Sequence, residues 1–146
     1  MKPYPAYKDS GLHWLGPIPQ HWDTRPLKRA ASVSLSNVDK LSLEGQTEVL
    51  LCNYTDVYYN DRITNAIQFM KATAPPDQIS KFRLHVGDVL ITKDSETPDD
   101  IAVPAVVSEE LENVLCGYHL ALLRPGDAVM GAVSYTHLTL PTKRIV

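Results

Sequence analysis

The feature that most restricts this chain is the punctuation of its first 26 residues by Pro3, Pro5, Gly11, Trp14, Gly16, Pro17, Pro19, Trp22 and Pro26. Proline fixes φ and removes a backbone donor, so neither a long helix nor a long strand can run through this stretch. Residues 1–26 therefore read as an extended arm. One short turn is expected over 10–15, with Ser10 as its cap, and Trp14, Leu15, Ile18 and Trp22 are expected to anchor the arm onto the body.

Beyond the arm, apolar runs stay short. Residues 25–33 suit a short strand or helix, and 37–46 are polar and hold Gly45, which reads as a loop. The run from Thr47 through Tyr54 has strand length and polar boundaries. Residues 56–62 look like a loop rich in aromatic and polar side chains. Pro75 and Pro76 stop whatever precedes them, and Asp77 is placed to cap a short helix ending at Phe82. A turn at 85–88 should lead into a strand over 89–92, followed by a polar loop over 93–100. A further strand is expected over 101–107, with Pro104 favouring an edge or a bulge. Two more candidates, 114–118 and 119–124, are broken at Gly117. Strands outnumber helices and no repeat appears. The fold class expected is α+β: a β-rich domain dominated by a strongly bent sheet, with a few short helices.

At 146 residues the chain fits one domain. Its 44% apolar and 21% charged residues allow an ordinary core. No apolar run approaches the roughly 18–20 residues of a membrane span, and the opening residues lack the apolar stretch of a signal peptide. A cytoplasmic protein with no membrane partner is expected. Cys52 and Cys116 lie inside apolar runs and read as reduced, buried thiols rather than a disulfide or a catalytic pair. The net charge of −3 argues against coating nucleic acid by bulk charge. Any such contact must come from a local patch or from a partner's field.

The segment 133–142, Val-Ser-Tyr-Thr-His-Leu-Thr-Leu-Pro-Thr, matches the translation of a sequencing adapter, a transposase mosaic end with its extension: GTC TCT TAT ACA CAT CTG ACG CTG CCG ACG. The adapter's flanking bases also agree with Ala132 and Lys143. Residues 133–146 are therefore expected to be foreign, and the native product to continue past about Ala132. Setting aside Lys143 and Arg144 leaves 12 of the 14 basic residues against 17 acidic ones, a balance near −5.

Three segments carry a resemblance. Residues 7–22 contain the series Lys8-Asp9-Ser10-Gly11, Trp14-Leu15-Gly16, Ile18-Pro19 and His21-Trp22. Residues 86–95 contain Gly87-Asp88-Val89-Leu90 and its following loop. Residues 116–125 run Cys116-Gly117-Tyr118-His119-Leu120-Ala121-Leu122-Leu123-Arg124-Pro125. Together these resemble the target-recognition domain of type I restriction-modification specificity subunits, with residues 1–132 as one truncated domain. The long helices that join two such domains in a whole subunit are absent from this sequence.

The resemblance implies a non-catalytic DNA-recognition module that reads one half of a bipartite site. Its implied partners are double-stranded DNA, methyltransferase (modification) subunits and, through the complex, a restriction/translocase subunit. No cofactor is expected of its own; S-adenosylmethionine, ATP and magnesium would belong to the partners.

Reading DNA needs donors and acceptors held at base edges, with cations on phosphates. The loop Lys93, Asp94, Ser95, Glu96 and Thr97 follows a strand and offers these groups. The stretch Tyr58-Tyr59-Asn60-Asp61-Arg62 adds aromatic faces, an amide and a guanidinium, and Lys71 and Lys81 could hold phosphates. For any one of them a solvated surface role competes; for the 93–97 loop as a unit, contact is the favoured reading.

The alternative is a small hydrolase or nuclease using Asp88, Lys93 and Glu96. Such a site usually needs a carboxylate and a lysine two apart on one strand, which 96–98 does not supply. Cys116 and His119 form a weak zinc signal without a second pair, and a structural role suits them better. A purely structural interaction domain is a third reading. Deleting 133–146 is expected to leave stability within about 1 kcal/mol, as for uninvolved surface changes. Thermal denaturation checks this, and unfolding of the shortened chain would show the segment to be native.

Overall fold

The computed structural model describes residues 3–95, 97–98 and 101–126. The 133–146 segment and Glu96 lie outside the described residues. Within them the chain is α+β and β-rich, with three short helices.

The arm forms its own ladder. Strands β1 (Tyr7–Asp9) and β2 (Pro17–Pro19) pair antiparallel, with Lys8 opposite Ile18. The Ser10 hydroxyl accepts from the Leu12 amide at 3.2 Å, and the Leu15 and Gly16 amides donate to the Leu12 carbonyl, so the turn is capped as expected. The anchoring expectation holds only for Ile18, which is buried. Trp14 is 80% exposed and Leu15 and Trp22 are also exposed. Because β1 and β2 satisfy each other, nothing forces the outer side chains of the arm against the body. Trp22 instead packs on Tyr4 within the arm, ring centroids 5.9 Å apart.

Residues 25–33 adopt both expected conformations in succession. The single turn α1 (Leu27–Ala30) runs directly into strand β3 (Ala31–Leu35). Next come β4 (Thr47–Cys52), α2 (Tyr54–Tyr58), β5 (Arg62–Ile63), β6 (Met70–Ala74) and α3 (Pro76–Phe82). The chain continues with β7 (Val89–Thr92), β8 (Pro104–Val107), β9 (Val114–Cys116) and β10 (Leu120–Pro125). Helix α3 starts with Pro76 at its first position and Pro75 as N-cap; Asp77 sits in the first turn rather than capping it. Proline is suited there because that N–H has no helical partner in any case.

Where the sequence suggested one dominant bent sheet, the ladders divide the strands of the body between two. One has the order β3-β10-β7-β8-β5, the other β6-β4-β9. Pro104 opens β8, an interior strand, and so occupies a strand start rather than an edge. A strand's first residue tolerates a missing donor.

Leu120, Leu122 and Leu123 of the interior strand β10 are buried, as are Val89, Leu90 and Thr92 of the central strand β7. Leu51, Val57, Ile63, Phe82, Leu84, Leu90, Leu115 and Leu122 join both sheets and two helices in one core cluster. At about 1.5–3 kcal/mol for each large side chain buried, this shared core holds the sheets together. No helix among the described residues is long and apolar enough to cross a membrane.

The sheets meet where β9 gives way to β10. The intervening Gly117 amide donates to the Cys52 carbonyl at 2.9 Å. A Cβ on Gly117 would stand 2.7 Å from that oxygen, so only glycine allows the approach. Buried Ser36, just past β3, completes the junction. Its hydroxyl donates to the Cys116 carbonyl at 2.6 Å, and its amide donates to the Leu120 carbonyl at 3.1 Å.

The entry to β7 is fixed by charge. Asp88 is buried, and its carboxylate accepts from Arg124 Nε at 3.0 Å, from Arg124 Nη2 at 2.8 Å and from the His85 amide at 2.9 Å. Gly87 before it has φ +90°, the left-handed region that favours glycine. Arg124→Met would leave the buried carboxylate without its cation. A loss of about 2–3 kcal/mol is expected in chemical denaturation; a loss under about 0.5 kcal/mol would show that the pair does not hold the turn.

Candidate nucleic-acid interface

Immediately after β4, Asn53 starts α2. The Asp56 carboxylate accepts from the Asn53 amide at 2.7 Å, and the Asn53 side chain caps the Asp56 amide in return. This corrects two expectations: the strand expected through Tyr54 ends at Cys52, and the loop expected over 56–62 is helical in its first half. The reciprocal cap stabilises a turn that would be marginal by propensity alone. Burial pushes the Asp56 carboxyl up from its usual range, opposed by the hydrogen bond from Asn53. Val57 is buried toward β5, β7 and β8.

With Val57 inward, the helix carries its tyrosines outward. Tyr54 and Tyr58, four residues apart, stack with ring centroids at 5.6 Å and planes 16° apart. Tyr59 meets Tyr58 edge-on at 5.1 Å and is 77% exposed. Asn60 Nδ2 donates to the Asp56 carbonyl at 2.8 Å, and so closes the helix rather than projecting freely.

Across from these rings lies the end of the β7–β10 ladder. Hydrogen bonding extends one residue past the strands, the Lys93 amide donating to the His119 carbonyl at 3.2 Å. Asp94 Oδ2 lies 2.6 Å from His119 Nδ1. Ser95 and Thr97 form a local turn: the Thr97 amide donates to Ser95 Oγ, which in turn donates to the Thr97 carbonyl. Tyr54, Thr55, Tyr58, Tyr59, Asp94, Ser95 and His119 together line one groove of about 550 Å³.

Two segments chosen from sequence thus converge, through Tyr59 on one wall and Asp94 with Ser95 on the other. The remaining candidates fall elsewhere. Lys93 is half-buried; its ammonium donates to the Ser36 carbonyl at 3.2 Å and sits 4.5 Å above the Tyr118 ring. It braces the sheet junction. Arg62 is exposed on β5 at the sheet edge, and Lys71 lines a separate hollow of about 400 Å³ on β4 and β6. Lys81 ends α3, 5.2 Å from the Phe82 ring.

Tyr58 belongs to the stretch offered from sequence, whereas Tyr54 and His119 had not been singled out as groove residues. The signal for Tyr54 was its spacing of four from Tyr58 behind an Asn53-x-x-Asp56 cap. For His119 no local signal existed, because its partner Asp94 is 25 residues away.

The groove offers aromatic faces, hydroxyls, a carboxylate and an imidazole. No lysine or arginine lines it among the described residues. That composition suits contact with base edges and faces more than with phosphates. Among the described residues no group of three or more His, Cys, Asp or Glu could hold a metal ion. Asp88 is held by Arg124 below β7, so it does not combine with Lys93 as a nuclease set. Cys116 is buried while His119 is exposed, on opposite sides of the Gly117 break.

No known protein family matches the chain, and no curated protein matches it either.

The two walls of the groove are held in place through Gly117, which fixes the end of β4 against the start of β10. Gly117→Ala brings a methyl 2.7 Å from a backbone oxygen. We expect about 1–3 kcal/mol of destabilisation, the usual range for overpacking a fitted site. Amide shift changes should reach both Tyr59 and His119 in NMR spectra. Unchanged stability and spectra would show that the junction yields without cost.

Proposed function

We propose that this chain is a non-catalytic DNA-recognition module of the type I specificity-subunit class, reading one half of a bipartite site. Its partners would be double-stranded DNA, methyltransferase subunits and, through them, a restriction/translocase subunit. The observation that carries the reading is the convergence of the α2 tyrosines with the loop after β7 in one exposed groove. The groove stands on a ladder that is buried on both sides, so donors and acceptors are pre-positioned, as base reading requires. The resemblance of residues 7–22 to the family's opening series supports the same reading.

The lack of cations in the groove divides the work. Asp94, Ser95 and Tyr59 would face base edges, while exposed Arg62, Lys71 and Lys81 would act on phosphates with charge from the partners. Cytoplasmic action follows from this role, since the DNA and the partner subunits are there.

The test is to graft residues 1–126 in place of the first recognition domain of a type I specificity subunit and map the methylated sites. One half of the bipartite sequence is expected to change to a new, fixed sequence. In the graft, Tyr59→Ala and Ser95→Ala should relax that half-site, each contact discriminating by about 1–3 kcal/mol. Lys71→Ala should weaken all sites alike and make the salt slope shallower by about one. An assembled graft that methylates nothing, or magnesium-dependent cleavage of DNA by the chain alone, would overturn the reading.

A further inference from the structure

Among the described residues Asp94 and His119 form the polar pair of the groove, and their geometry fixes what they present. An ionised carboxylate only accepts hydrogen bonds, so across the 2.6 Å contact it is His119 Nδ1 that carries the proton. In the neutral ring Nε2 is then unprotonated and accepts. Nε2 makes no hydrogen bond among the described residues, nor does Asp94 Oδ1.

The pair is also held still. The Lys93 amide on one strand end donates to the His119 carbonyl on the other. The His119 ring meets Tyr118 edge-on at 5.2 Å, and Tyr118 lies under the Lys93 ammonium. Both side chains remain about half exposed, 47% for His119 and 56% for Asp94, and so open to a ligand.

We infer that Asp94 and His119, with the imidazole neutral, act as a two-acceptor reading pair that selects a base bearing an exocyclic amine, adenine or cytosine, at one position of the contacted strand. This rests on the DNA-recognition reading above. In the major groove adenine N6 and cytosine N4 donate, whereas guanine O6 and N7 and thymine O4 accept. Two fixed acceptors therefore attract the first two bases and repel the others. Asp94 is a positioning residue for the imidazole as well as a contact.

The experiment takes the 146-residue chain, immobilised, and selects from a pool of randomised duplexes in about 50 mM salt, where phosphate attraction is strong. The wild-type chain is expected to enrich adenine or cytosine at one fixed position by about fivefold or more. His119→Ala and Asp94→Ala should lose the preference at that position and keep it at the others. Both side chains are exposed, and backbone amide spectra verify that each variant is folded.

A second measurement is independent of DNA. Long-range nitrogen–proton NMR of the imidazole should place the proton on Nδ1 in the wild type and release it in Asp94→Ala. If both variants enrich the wild-type motif unchanged, or Nε2 carries a proton in either the neutral or the charged ring, the reading pair is refuted while DNA recognition stands. If the wild-type chain enriches no motif, the reading pair falls, while the recognition reading is decided by the methylation map of the assembled graft.

Discussion

The contact between the Gly117 amide and the Cys52 carbonyl, 2.9 Å long, is the point on which the two main sheets turn. Three consecutive residues carry the chain from the end of β9 to the start of β10, too few for any wide connection. The path exists because one residue without a side chain lies directly against the backbone of β4. Ser36 then satisfies the carbonyl that would otherwise be stranded at the crossing, a necessity for a buried polar group. Everything functional is hung from this crossing. Helix α2 starts two residues after Cys52, and His119 lies two residues after Gly117. A junction of backbone atoms therefore sets the width of the groove, and the side chains inherit its rigidity.

The second organising pair is Asp88 with Arg124. A carboxylate buried this deeply is tolerated only with a cation and further donors, and it has both. Its effect is local and directional. It pins the turn that launches β7 against the far end of β10, so the two strands are aligned from both ends of their ladder. The loop beyond Thr92 emerges from a strand with no freedom to slide. Lys93 has a related role at the opposite end, where its ammonium links the Ser36 carbonyl to the Tyr118 ring. A residue that sequence alone presents as a DNA-contact candidate is thereby part of the frame.

Much of this was legible in sequence because it is local. Gly87-Asp88 announces a turn, Val89 through Thr92 have strand composition, and Gly117 breaks an apolar run. Each of these placed its element correctly. Sheet membership was not legible: β9 and β10 are neighbours in sequence but pair with different partners, and apolar content does not name a partner. The start of α2 was missed: Asn53 and Tyr54 read as the end of the preceding strand and Asp56 as loop, and only the reciprocal bonding of Asn53 and Asp56 makes a helix there. Tryptophans in the arm suggested anchoring, yet a self-sufficient hairpin leaves them outside. The groove was half legible. Tyr59, Asp94 and Ser95 were chosen for their chemistry, but the imidazole that completes the site comes from a strand far along the chain.

Cys52 and Cys116 stand opposite each other on parallel strands, both fully buried. Burial pushes both thiols up, Cys116 to about 12. Thiolate is the nucleophilic form of cysteine, so both sulfurs are chemically quiet near neutrality. The described domain is thereby silent toward alkylating reagents while it stays folded. A cysteine introduced on the groove rim would be its sole reactive sulfur, and the two native ones would react only as the core opens. The protein thus carries an internal reporter of its own unfolding beside a blank surface on which a cross-linker or fluorophore can be placed at will.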